Sequence, residues 1–250
     1  MLDILKAKTK HPLLQLDDAL IGIPLSTIKT LEKELLTGVP LTYQMGFAEF
    51  YKDRFLVNSK VLIPRPETEY LVDLIVNEFR GKKSQILDVG VGSGAILLSL
   101  LKEGVAPSGT GVDISTDALE VCSINARRFR LNPQLLLSDR MSQVRGHYDL
   151  IVSNPPYIKA SSHKALVQET VDRFEPKEAL YLEDSEYCDW FLEFFTGVKT
   201  HLKGHFFMEG HELEVGSQAA LLTQMGFQKV SVLLDQYGRE RFLRAEHFSS

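Results

Sequence analysis

Ile86-Leu87-Asp88-Val89-Gly90-Val91-Gly92-Ser93-Gly94 is the stretch on which the reading of the whole chain turns. Ile86 to Val89 is a short apolar run with the length of a buried strand. Glycines then alternate at 90, 92 and 94, and the apolar segment Ala95 to Lys102 predicts a helix. Glycine lets a backbone turn sharply and lets a ligand approach it closely. A strand, a glycine turn and a helix in succession form the opening unit of a nucleotide-type α/β fold.

The alternation continues on the C-terminal side. Thr110 to Ile114 is a second strand, and Ser115 or Thr116 caps a helix through Arg128. Gln134 to Ser138 is a third strand and Tyr148 to Ser153 a fourth. This order predicts a parallel sheet with helices on both faces. After a polar, irregular span over 158–183, read as a substrate loop or flap, a helix is expected from Asp184 to Lys199. Its apolar positions are Tyr187, Phe191, Phe194, Phe195 and Val198, and Trp190 is expected to pack there rather than in a site. Strand His205–Glu209, helix Glu214–Met225 and strands Gln228–Leu234 and Arg241–Ala245 complete the chain. The last two strands are joined by a short turn and must run antiparallel.

Upstream of the glycines, Ile63-Pro64-Arg65-Pro66-Glu67-Thr68-Glu69 leads stiffly into a helix with Leu71, Leu74, Ile75 and Phe79 on one face and Gly81 at its end. Pro66 suits the first turn, and Glu67 and Glu69 favour the positive helix end. Arg65 is read equally as solvated surface or as pocket lining. Glu49-Phe50-Tyr51 and Arg54-Phe55-Leu56-Val57 are read as a hairpin turning at Lys52-Asp53. Residues 1–40 are read as helical, with Ser26 or Thr27 capping a helix that carries Ile28, Leu31, Leu35 and Leu36 and stops at Gly38. Three parts result: a short N-terminal helical region (1–40), a hairpin with a linking helix (41–80), and the main domain (81–250).

The glycine pattern is G-x-G-x-G, not the G-x-G-x-x-G of dinucleotide sites. Asp88 stands before the first glycine. A carboxylate at a strand tip repels a pyrophosphate and attracts a cation, which argues against a nicotinamide dinucleotide. A nucleoside with a positively charged tail fits, and S-adenosylmethionine has that form. The expected cofactor residues here are Asp88, Gly90, Val91, Gly92, Ser93 and Gly94. Asp113 ends the second strand, where a carboxylate can accept from both ribose hydroxyls. Asp139, after the third strand, can accept from the adenine amine.

The fourth strand runs into Asn154-Pro155-Pro156-Tyr157. The prolines have fixed φ and no N–H, and Asn154, before a proline, is pushed to an extended conformation. The result is a stiff corner offering an amide oxygen, carbonyl oxygens and an aromatic face. It suits a planar group carrying an NH2: one N–H to Asn154, the other to the Pro155 carbonyl, with the Tyr157 ring over the plane. Asn154, Pro155 and Tyr157 are therefore the candidate catalytic residues, with Pro156 beside them in substrate binding. Asn154 also borders the cofactor. If the strand order is 3-2-1-4-5, the glycine loop and this corner face each other at the switch point of the sheet.

The bulk numbers narrow the setting. The chain has 250 residues, 44% hydrophobic and 24% charged, which suits one large α/β domain with a small appendage. A net charge of −5 argues against a nucleic-acid binder, whose affinity rests on phosphate contacts. Two cysteines at unpaired spacing, Cys122 and Cys188, form no disulfide framework or zinc site and fit a reducing compartment. With no membrane-length apolar run and no signal-peptide pattern in residues 1–20, the reading is a cytoplasmic monomer without a metal site.

Taken together, the sequence resembles the HemK/PrmC release-factor glutamine methyltransferases. The resemblance runs from about Leu41 to the C-terminus. It rests on Ile63–Glu69, Ile86–Gly94, the strand ending in Asp113, Ser138-Asp139, Val152-Ser153-Asn154-Pro155-Pro156-Tyr157-Ile158, Arg173-Phe174-Glu175-Pro176 and Tyr237-Gly238-Arg239-Glu240-Arg241. It implies a class I S-adenosylmethionine-dependent methyltransferase, an α/β Rossmann-like fold whose parallel sheet ends in an antiparallel strand. It further implies methylation of the side-chain amide of the glutamine in the Gly-Gly-Gln loop of peptide chain release factors, with S-adenosylhomocysteine as product. Two departures stand out. The N-terminal helical region is shorter than usual, and Arg140 occupies a cofactor-side position where many relatives carry an aromatic residue. A ribosomal-protein glutamine or a nucleic-acid adenine is the alternative target, and a catalytically silent S-adenosylmethionine-binding scaffold the alternative of another class.

Overall fold

The computed structural model describes residues 38–248. The expected N-terminal helix from Ser26 or Thr27 lies outside the described residues. A short helix, α1 (Leu41–Met45), precedes the hairpin β1 (Phe47–Phe50) and β2 (Asp53–Leu56), paired antiparallel with Tyr51 at φ 59° in the turn. Helix α2 (Pro66–Phe79) starts with Pro66 in its first turn and buries Leu71, Val72, Ile75, Val76 and Phe79.

The main sheet is then laid down in the expected alternation: β3 (Ile86–Val89), α3 (Ala95–Lys102), β4 (Gly109–Asp113), α4 (Thr116–Arg128, with the Ser115 side chain capping Ala118 N), β5 (Gln134–Leu137) and β6 (Tyr148–Ser153). Helix α6 (Tyr187–His201), β9 (Leu202–Glu209), α7 (Val215–Gln224), β10 (Gln228–Leu234) and β11 (Glu240–Phe248) follow. The seven strands lie in the order β10-β11-β9-β6-β3-β4-β5. β11 is antiparallel to both neighbours, and the five strands from β9 to β5 are mutually parallel. β11 is longer than Arg241–Ala245 because its ladder to β9 continues as far as Phe248 opposite Lys203. Glu246 and His247 interrupt the apolar pattern before Phe248, which hid that extension.

Strand alternation divides the interior into two cores. Ile86, Leu150, Val152 and Phe207 face a layer formed by α2, α3, α4 and the hairpin. Leu87, Val89, Ile151, Phe206 and Met208 face α6 and α7. β3 is buried along its whole length because both faces are covered. Burying each large apolar side chain contributes roughly 1.5–3 kcal/mol. A bulge at Asp149 shifts the register of β6 against β9 and brings the Asp149 carbonyl to within 2.2 Å of where a Cβ on Gly204 would stand, so only glycine fits there.

The span 158–183, expected to be irregular, has structure. β7 (Ile158–Lys159) pairs in parallel with β8 (Tyr181–Leu182), and between them stand α5 (Glu169–Phe174) and two single turns of 3-10 helix. The buried Glu175 carboxylate anchors it, accepting from Ile63 N at 3.1 Å and from Arg65 at 2.8 Å. Both partners lie more than a hundred residues upstream, so local sequence could not show the anchor.

Candidate active site

A cavity of about 330 Å³ opens at the carboxyl ends of β3, β4 and β6, where the strand order reverses. The glycine loop forms its floor. The N–H groups of Gly90 and Val91 both donate to the Val112 carbonyl at 2.9 Å, so the loop lies on the end of β4. Gly90, Gly92 and Gly94 have φ of 77°, 54° and 84°. A Cβ on Gly94 would lie 2.8 Å from Cys122 Sγ and Leu98 Cδ1. Ser93 lines the cavity and offers its carbonyl to the buried Asn125 amide at 2.9 Å. Asn125 also exchanges hydrogen bonds with the Leu56 backbone, tying the hairpin to the loop.

Asp113 lines the cavity with its carboxylate already oriented. Oδ2 accepts from Gly92 N at 2.9 Å and Oδ1 from Ser115 N at 3.0 Å. Burial pushes this carboxyl above the ordinary range, and these backbone donors oppose the shift. Asp88 is placed differently from the other loop residues. It shares the face of β3 that carries Ile86, turns toward α3, and accepts from Leu97 N at 3.1 Å through Oδ2. It is 1% exposed, does not line the cavity, and leaves Oδ1 without a partner. Burial drives its pKa to about 7.

Ser138, Asp139 and Arg140 form the far wall. Asp139 is exposed, and Arg140, at φ 48°, pairs with Asp139 at 3.2 Å and with Glu193 at 2.8 Å. The Arg140 guanidinium lies over the Trp190 ring at 5.6 Å. Trp190 stacks on Phe194 at 5.2 Å but also lines the cavity, which corrects the expectation that it is only packed. It flanks the buried stripe of α6 rather than belonging to it, which leaves it to line the cavity.

Asn154, Pro155 and Pro156 close the near wall. The Ser153 hydroxyl donates to the Val89 carbonyl at 2.6 Å, fastening the end of β6 to β3. A Cβ on Gly90 would meet the Asn154 carbonyl at 3.9 Å, so loop and corner do face each other. A second cavity of about 110 Å³ adjoins the corner, lined by Asn154, Pro155 and Tyr157 and by Leu62 and Arg65, which both cavities share. Arg65 is therefore pocket lining, and Glu175 holds it there.

Sequence reasoning missed the support beneath the corner. The Asn154 Nδ2 donates to Thr68 Oγ1 at 3.3 Å. Thr68 donates to Glu209 Oε2 at 2.6 Å, and the Tyr157 hydroxyl donates to Glu209 Oε1 at 3.0 Å. Glu209 is 1% exposed; burial raises its pKa, opposed by Thr68, the Arg241 charge and Tyr157. Burial, then the Glu209 charge, keeps the Tyr157 phenol protonated. Glu209 ends an apolar strand, as Asp113 does, and that position was the available signal.

The family described as methyltransferase small domain matches residues 66–182. The chain is 39% identical over 210 residues to the release factor glutamine methyltransferase of Shewanella oneidensis, covering 82% of this chain and 72% of that protein. It is 33% identical over 226 residues to the protein of the same name from Lactococcus lactis, covering 88% and 82%. Among solved structures, a ribosomal protein L11 methylase from Lactobacillus delbrueckii superposes with a TM-score of 0.55 at 19% identity, covering 76% of this chain and 82% of that one. A 16S rRNA N2 G1207 methyltransferase from Thermus thermophilus superposes at 0.56 and 21%, covering 80% and 49%. These last two likenesses concern the fold, which is that of a class I methyltransferase. The two curated relatives decide the family: this chain belongs to the release factor glutamine methyltransferases.

Proposed function

We propose that this chain transfers the methyl group of S-adenosylmethionine to the side-chain amide nitrogen of the glutamine in the Gly-Gly-Gln motif of peptide chain release factors. The observation that carries the reading is the juxtaposition of the Asn154 corner and the glycine loop across one cavity. The lining fits a nucleoside. Gly90 and Gly92, both at positive φ, leave their side of the cavity free of side chains, and Asp113 and Asp139 present acceptors for hydroxyl and amine groups. Val91, Ser93 and Arg140 complete that half, whereas Gly94 does not line the cavity and instead turns the chain into α3 against Cys122 and Leu98. Asp88 acts from below, by holding the first turn of α3 under the loop.

When bound, the cofactor supplies an electrophilic methyl group and leaves as S-adenosylhomocysteine. The chain's own residues do the rest. An amide nitrogen is a weak nucleophile, because its lone pair is delocalised into the carbonyl. Asn154 is neutral and cannot act as a strong base. Asn154 Oδ1 and the Pro155 carbonyl accept the two N–H groups of the target and hold its nitrogen in line with the methyl group. Such positioning can supply roughly 7–11 kcal/mol of barrier reduction. As positive charge develops on the nitrogen, these acceptors bind it more strongly than in the ground state. The new N–C bond forms as the C–S bond breaks, and the displaced proton leaves to water. Pro156 keeps the corner stiff, and Tyr157 covers the plane of the amide.

The net charge of −5 favours a protein over a polyanion as substrate, and we take the enzyme to act as a monomer. The thiols of Cys122 and Cys188 are free, in keeping with a cytoplasmic setting, and no helix among the described residues is long and apolar enough to cross a membrane. Mass spectrometry of release factor incubated with the chain and S-adenosylmethionine tests the reading. The expected result is one added methyl group on the Gly-Gly-Gln peptide. Methylation of a ribosomal protein or of DNA instead would overturn it.

A further inference from the structure

We propose that Thr68 and Glu209 are positioning residues that set the direction of the Asn154 side-chain amide, so that its oxygen and not its NH2 is presented to the target. The inference rests on the reading of Asn154 as the acceptor of the target N–H, and extends it to two side chains outside the corner.

The argument is one of proton supply. Glu209, buried at the end of β9, accepts from two hydroxyls, one on each carboxyl oxygen. Thr68 owns one O–H proton, and at 2.6 Å that proton is committed to Glu209 Oε2. Thr68 Oγ1 is left with lone pairs alone facing Asn154. The Asn154 amide must therefore turn its NH2 toward Thr68, where Nδ2 stands at 3.3 Å, and Oδ1 is directed away from Thr68. The flipped amide would set Oδ1 against Thr68 Oγ1 with no proton between them. Freeing the Thr68 proton for it would strip a buried carboxylate of one of its donors, which is costly. The Tyr157 hydroxyl, held protonated, occupies the other oxygen of Glu209, so Asn154 and Tyr157 are keyed to one anchor. A target NH2 brings two donors, and a flipped Asn154 would meet them with a third.

Steady-state kinetics of Thr68→Val and Thr68→Ser, with calorimetric titration of S-adenosylmethionine, test this. Thr68→Val keeps the shape and loses both hydrogen bonds. Its kcat should fall about tenfold to a hundredfold through misdirection of the acceptor, while cofactor Kd and release-factor KM stay within about threefold. Thr68→Ser, which keeps the hydroxyl, should restore kcat to within about threefold of the parent. An unchanged kcat in Thr68→Val, or a serine variant as slow as the valine variant, overturns the inference. Should Thr68→Val fail to fold, Glu209→Gln carries the test. Its amide satisfies both partners by accepting from Tyr157 and turning its NH2 to Thr68 Oγ1, which frees the Thr68 proton for Asn154 Oδ1 and flips that amide, so kcat should drop with cofactor affinity kept, and an unchanged kcat overturns the proposal. Asn154→Ala separates the two levels. Full turnover there removes the acceptor reading itself, whereas lost turnover there beside full turnover in Thr68→Val removes only the positioning role.

Discussion

The two walls of the cavity are built by different means. The glycine loop is positioned through its backbone: Gly90 and Val91 donate to the Val112 carbonyl, and Gly92 donates to Asp113. The Asn154 corner is positioned through side chains, with Asn154 resting on Thr68 and Tyr157 on Glu209. The difference suits the two tasks proposed above for these walls. A loop that cradles a ligand needs room and a fixed path, and backbone bonds supply both without side chains in the way. A corner that must present one particular atom needs its side chain oriented, and only another polar group can do that.

The contrast can be broken experimentally, and the largest effect is expected at the corner. Asn154→Ala should lower single-turnover methyl transfer by about 10²–10³-fold, by comparison with loss of one preorganised polar contact to developing charge. Cofactor binding by calorimetry should stay near that of the parent. A matching loss of cofactor affinity would show that the two walls are not separable. The loop should behave in the opposite sense. Gly94→Ala places a methyl group at φ 84° against Cys122 and Leu98, and should cost about 2–3 kcal/mol in urea unfolding together with cofactor affinity. Its kcat at saturating cofactor should change little. Parental stability in this variant would mean that the loop tolerates a side chain after all.

The smallest effect is expected beneath the loop, at Asp88. Its folded-state pKa of about 7 lies above the ordinary 3.8, so between these values the folded protein holds a proton that the unfolded chain has released. Its contribution therefore favours folding at low pH and is lost as pH rises from about 4 to about 7. Asn at position 88 cannot titrate. The Tm of Asp88→Asn should gain on that of the parent as pH is raised through this window, and a difference that stays constant with pH would refute the assignment.

The same contrast explains what was legible in the sequence. β3, α3 and β6 run between the residues expected, because each is a contiguous apolar segment ended by glycine, charge or proline. The facing of loop and corner followed from strand order alone. Thr68 and Glu209 stand 141 residues apart, and Asn154 and Thr68 stand 86 apart. No window along the chain brings them together, and a threonine in a helix's first turn reads as helix chemistry. Asp88 was read as a cofactor residue at the strand tip, but strand parity turns it with Ile86 toward α3 and out of the cavity. Asn125 in α4 reads as an ordinary polar helix residue until the hairpin is seen against it.

Trp190 has a practical consequence. It is the chain's sole tryptophan, and it lines the large cavity with a guanidinium over one ring face and Phe194 stacked nearby. If the purine enters this cavity as proposed, the emission of Trp190 should report occupancy and any shift of Arg140. Titrating the unlabelled protein while recording that emission should yield a saturable change, giving affinities for cofactor, product and each variant above without a coupled assay or an attached dye.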